Sequence, residues 1–359
     1  MPSDQYPTMN RRPPHRLAIR AVLLAVALLT LPVAANAQST IDRVRRQNGV
    51  DSGKVVSTTP LGVTISKGGV ESTIPAEEIE VVTFAGEPSE LNSARNALNA
   101  GKVQEAFDIL AKIDVAEIQR DEVLADVEFY RALAAAKLAL AGKGEPSAAA
   151  GEIRTFMAKQ NKSYHVPQAI ETLGDLLMAA GETSNARAEY AKLAKAKSPY
   201  FELKSALLVG RTYQAEGQDA QAQVEFDKVA SSPEDGALIA PLKLAATLDR
   251  SVSQAAAGQV KEATAAIGKI IASAKPEDAT LLARAYNALG DCYLKSNDPR
   301  AALFAFLHVD LLYSQDAEAH AKALHELTKL WKTVGRDARA QEAQQKLAAE
   351  YPGSRWAKQ

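Results

Sequence analysis

A single cysteine, Cys292, stands in 359 residues. One thiol cannot close an internal disulfide, and it cannot build a cysteine-based metal site. Charge of one sign is missing too. The formal net charge is −1, so no basic excess points to nucleic acid or an anionic membrane. Aromatic residues are only 6 % while alanine is abundant, a mix that suits helices packed closely through small side chains. No glycine-rich phosphate loop and no G-x-S-x-G elbow occurs. His320 and His325 lie five apart, so they do not share a helical face as an i, i+4 metal pair would. His165 and His308 read as surface or half-buried side chains, as do His320 and His325. No catalytic constellation emerges, and nothing calls for a cofactor or metal.

The one long apolar run is "AVLLAVALLTLPVAA", residues 21–35, behind Arg11, Arg12, Arg16 and Arg20. It is short for a membrane span, which needs about 20 residues. Ala35-Asn36-Ala37 supplies a small-x-small cleavage site. Residues 1–37 therefore read as a secretory signal peptide, placing the mature chain in the periplasm or outside the cell, with no membrane span. The alternative is an uncleaved N-terminal anchor.

Residues 38–86 are rich in Val, Thr and Ile and broken by Gly and Pro. Alternation such as Val63-Thr64-Ile65-Ser66 is a period-two strand signal. Three or four short strands are expected, near 53–59, 61–66, 69–74 and 79–84, forming a small antiparallel β module. It resembles an SH3- or Sm-like barrel in pattern. Two roles stand open for it: a second binding surface, or a cap over the apolar end of a helical stack.

From residue 87 to 359 the period becomes helical, and units repeat. Gly174, Gly181, Ala186 and Tyr190 form one series. Gly210, Tyr213, Gly217, Ala222 and Phe226 form a second. Gly290, Tyr293, Asn297, Ala302 and Phe306 form a third at the same offsets. Weaker copies begin near Gly101, Gly258 and Gly335, and an irregular one spans 122–160. These residues resemble the tetratricopeptide repeat. The resemblance implies about six to seven antiparallel helix pairs stacked as an α-solenoid, so the fold class is mainly α with a β module in front. The glycine and alanine let helix A approach helix B. The aromatic is expected to fill the space between a pair and its neighbour. Gln344 replaces the aromatic in the last copy, as a solvated end requires.

Cys292 falls at a mixed helix A position, two residues after Gly290, and reads as half-buried filler. In the repeat family, helix A lines a concave groove. Counting from the motif glycines puts Lys204, Arg211, Arg284, Asn287, Lys322, Lys329 and Lys332 there. The groove is expected to be acidic early and basic late, the basic end suiting an acidic segment or a free carboxylate. The resemblance thus implies a non-enzymatic scaffold of the cell envelope that takes a protein or peptide segment in its groove. The other reading is a subunit of a larger envelope complex that uses the solenoid's sides.

Overall fold

The computed structural model describes residues 41–357. The expected signal peptide lies outside the described residues. Five strands come first: β1 Asp42–Arg46, β2 Gly49–Thr59, β3 Gly62–Lys67, β4 Val70–Pro75 and β5 Ile79–Thr83. All neighbours pair antiparallel, in the order β4-β3-β2-β1-β5. The first half of β2 pairs with β1 and the second half with β3, and a register shift between Val55 and Ser57 bends the strand between them. The curved sheet turns Val44, Val55, Val63, Ile65, Ile74 and Val82 inward.

Three or four strands are expected from the sequence, and β1 lies outside all of their ranges. Its sequence, DRVRR, carries one apolar residue, so the alternation is hard to see. Yet β1 lies between β2 and β5, and Asp42 and Val44 both face inward. Asp42 is buried because four donors meet its carboxylate. The amides of Val55 and Ala85 donate at 2.7 Å each, and Arg120 donates from Nη1 and Nη2 at 2.8 and 3.2 Å. Burial pushes its pKa up, but Arg120 and the two amides outweigh this, so it sits below the ordinary value.

Fourteen α-helices come next, as seven pairs among the described residues. They are α1 Ser89–Asn99 with α2 Val103–Ala111, α3 Asp121–Leu140 with α4 Pro146–Lys159, and α5 Val166–Ala179 with α6 Thr183–Tyr190. Then come α7 Pro199–Ala215 with α8 Asp219–Ala230, and α9 Ala240–Ala256 with α10 Val260–Ser273. The last are α11 Ala279–Lys295 with α12 Pro299–Leu312, and α13 Ala317–Thr333 with α14 Asp337–Glu350. One turn closes every pair. A residue in the left-handed region follows helix A, and the next amide bonds back to the end of that helix, as Glu182 N–H does to the Leu177 carbonyl. The left-handed residue is glycine in six pairs and Asn297, at φ 59°, in the seventh.

The aromatic works differently from the expectation. A Cβ on Gly210 would lie 2.6 Å from Phe226 Cε1, and one on Gly290 2.6 Å from Phe306 Cζ. Gly174 faces Tyr190 in the same way. The ring therefore fills the hollow left by the glycine of its own pair. The same offset of sixteen residues links Ala94 to Leu110 and Ser251 to Ile267, all buried. Where the first residue is larger than glycine, the second is smaller than a ring, which keeps the interior filled without overlap.

The β module has no separate core. Val44, Val63, Val82 and Phe84 belong to one buried cluster with Leu91, Val127, Phe129 and Leu173 of the helices. Ser198, just before α7, donates to Glu77 at 2.6 Å, so the module also reaches the fourth pair.

Candidate functional site

Helix A packs against the next helix A along most of the solenoid: α3 on α5, α7 on α9, α9 on α11, and α11 on α13. Their shared face encloses a cleft of about 600 Å³. Leu208, Leu248 and Val252 supply its apolar floor. Its polar wall is made of ion pairs that step from one helix to the next. Arg211 on α7 donates to Asp249 on α9 at 2.7 Å. Lys322 on α13 donates to Asp291 on α11. Arg284 on α11 donates to Asp316, the N-cap of α13, at 3.2 Å. Asn287 is buried and donates to the Ala319 carbonyl at 2.9 Å. Upstream, Lys204 on α7 pairs with Glu171 on α5 at 2.9 Å, close to Glu77 and Glu80 of the β module.

Of the seven groove positions read from the sequence, Arg211, Arg284, Asn287 and Lys322 line this cleft. Lys204 lies in the adjoining hollow against the β module. Lys329 and Lys332 are exposed on the last turns of α13 and line neither. Lys329 instead pairs with Glu326 at 3.5 Å. The basic late end is therefore not assembled. Each cation there that reaches the cleft already holds a carboxylate, because helices one repeat apart bring opposite charges to the same height.

Acid was expected early in the groove; what the sequence reading missed is Asp249, Asp316 and Glu318 farther along the wall. Asp249 belongs to a weak copy whose groove positions were not counted. Glu318, Arg355 and Trp356 also line the cleft, and the last two lie beyond the seventh pair. Among the described residues Asp175 forms no ion pair, and Glu318 pairs with Arg355 at 2.7 Å but with none of the cations on the helix A wall. Burial pushes Asp175 above the ordinary carboxylate range, partly opposed by the Tyr190 hydroxyl that donates to it at 2.6 Å. Burial likewise raises Asp291, with Lys322 opposing.

The thiol and the histidines do not form a reactive site. Cys292 is fully buried rather than half-buried, its Sγ 3.5 Å from the Ser251 carbonyl. Burial pushes its pKa up to about 12, the opposite of an activated nucleophile. His165, His320 and His325 are buried, against the expectation of surface or half-buried positions. His165 stacks on Phe129 with ring centroids 3.8 Å apart and meets Asp126 at 3.1 Å. Asp126 also accepts from Arg95 at 2.6 Å, and Arg95 donates to Glu87 at 2.7 Å. This network ties α1, α3 and the entry to α5 together. His320 is held between Asp310 and Tyr351. His308, half-buried, stacks on Tyr286. No group of three or more His, Cys, Asp and Glu is placed to hold a metal among the described residues, and none of their helices is long and apolar enough to cross a membrane.

No protein-family model and no curated protein matches this chain. Solved structures do. A tetratricopeptide repeat protein from Parabacteroides merdae is 15 % identical, with a TM-score of 0.53 over 73 % of this chain and 91 % of that one. The apo form of RapI is 12 % identical, with a TM-score of 0.46 over 74 % and 76 %. NprR in complex with its cognate peptide NprX is 15 % identical, with a TM-score of 0.42 over 72 % and 76 %. The repeat geometry and the first of these likenesses agree: the chain has the fold of a tetratricopeptide-repeat-like α-solenoid, preceded by a small antiparallel β module.

Proposed function

We propose that this protein is a non-enzymatic interaction scaffold of the bacterial cell envelope that holds a peptide or protein segment in its concave cleft. The observation that carries the reading is the cleft itself. It runs along helix A of five consecutive pairs, with an apolar floor and a charged wall, which suits an extended chain better than a small metabolite. Export rests on the segment before residue 38. Its test is N-terminal sequencing of protein made in a bacterial host, with cleavage after Ala37 expected and retained Met1 contradicting it. The groove is tested by capture from an envelope extract. A Leu248→Glu/Val252→Lys variant with an unchanged fold should lose the partner that the parent captures. Equal capture would remove the cleft from the function.

A second reading has its own observation. Phe304 and Leu311 on α12 are 64 % and 72 % exposed, and Leu312 beside them is 57 % exposed. Apolar residues seven apart share one helix face, so α12 offers a side surface to a partner subunit. Under this reading, Phe304→Glu/Leu311→Glu abolishes association and the cleft variant leaves it intact.

A further inference from the structure

After α14 residues 351–357 fold back onto the solenoid. The Tyr351 hydroxyl and His320 Nδ1 share a hydrogen bond of 2.7 Å, which turns the chain back over α13. A 3-10 turn at Arg355–Ala357 comes after it. Trp356 then lies across the inner face of α13. Its indole N–H donates to Glu318 at 2.9 Å, its ring is 5.5 Å from that of His325, and Lys322 Nζ is 5.9 Å from its centroid. Arg355 donates to the same Glu318 oxygen at 3.0 and 2.7 Å. On its other side the segment meets the second pair. Gly353 packs so tightly on the Ala141 carbonyl, at the end of α3, that any Cβ there would overlap the oxygen. Arg355 and Trp356 line the cleft together with Asp175 of the third pair. Residues 351–357 therefore bridge the seventh pair to the second and third, across the mouth of the cleft.

The charges of the wall explain why this segment sits there. Arg211, Arg284 and Lys322 are matched by Asp249, Asp316 and Asp291. Among the described residues Glu318 pairs with Arg355 and with no cation of the helix wall, and Asp175, which forms no ion pair, lines the same cleft as Arg355. The cleft is thus complementary to an aromatic side chain beside a guanidinium, and the chain supplies both itself.

We infer that residues 351–357 are an intramolecular latch occupying the cleft's own ligand subsite, and that the partner segment which displaces it presents the same chemistry, an aromatic residue beside an arginine. The inference rests on the cleft reading above. Glu318 and Arg355 are each 60 % exposed, so their ion pair is weak and screened by salt, which a latch that must open requires. Its strength comes from tethering, since a short connection holds the segment at a high effective concentration.

The probe is a capped, fluorescent peptide of residues 351–357, titrated against the full chain. The parent, with its latch closed, should bind it at least about tenfold more weakly than an Arg355→Ala/Trp356→Ala variant, whose subsite is vacated. Gly353→Val should open the latch by collision with Ala141 and give the same gain. Glu318→Gln added to the vacated variant should reverse it. A peptide in which Arg and Trp are Ala should bind none of them. Equal binding to the parent and both opened variants, or no binding to any, overturns the latch. That failure is separate from failure of the proposed function: partner capture lost in the Leu248/Val252 variant would still stand on its own, and a working latch would survive a failed capture.

Discussion

Asp42 and Arg120, 78 residues apart, form a two-toothed ion pair that fastens the first strand of the sheet to the start of the second helix pair. The same carboxylate caps the amides of Val55 and Ala85, so it holds the sheet's curvature and the chain's exit from the sheet at once. Asp42→Ala would leave two amides and a half-buried guanidinium without their acceptor. The expected cost is about 2–4 kcal/mol, read by chemical denaturation. A loss under about 0.5 kcal/mol would place the fastening elsewhere. Residues 38–86 expressed alone should lack a cooperative transition, because their inward faces are completed by helices.

Gly290 and Phe306 define the second prediction. Gly290→Leu forces the ring out of its hollow and should cost on the order of 1–3 kcal/mol or more. The pair Gly290→Ala/Phe306→Leu rebuilds the Ala94–Leu110 arrangement already present in the first pair. It should be more stable than the sum of the two single changes predicts, by about 1 kcal/mol, in a double-mutant cycle. Strict additivity would contradict the packing described.

Cys292→Ala should cost about 1 kcal/mol, as an ordinary loss of one buried atom does. The native thiol should resist alkylation at neutral pH until the protein unfolds, since burial keeps it protonated. Rapid labelling of the folded chain would mean that the α9–α11 contact opens readily.

The buried histidines set a pH dependence. Burial lowers the pKa of His165, against the pull of Asp126, and burial and Lys329 lower that of His325. In the unfolded chain both titrate near about 6.5. Folded, they stay neutral to lower pH, so the unfolded state binds more protons as pH falls. Their contribution is full above about pH 6.5 and is lost as pH drops through their folded values. Unfolding free energy should therefore decline between about pH 6.5 and 5, and the decline should be shallower in His165→Gln/His325→Gln. An unchanged slope would assign the dependence to other groups.

The repeat was legible in the sequence alone. Gly174, Gly210 and Gly290, the turn residues and the aromatics sixteen positions on act within one helix pair, where spacing along the chain is spacing in space. The change from period two to helical period near residue 87 was legible for the same reason. Strand β1 was not, because its inward side chains are an aspartate and a valine and its stability comes from Arg120, far along the chain. Nor was the balance of charge in the cleft. Lys322 read alone is a cation; set one repeat from Asp291 it is half of a neutral pair. Which carboxylates remain unmatched, and that Arg355 and Trp356 return to meet Glu318 while Gly353 meets Ala141, depends on how far the solenoid curves. That curvature sums small rotations between stacked pairs, and their total is a property of the whole folded chain rather than of any one repeat.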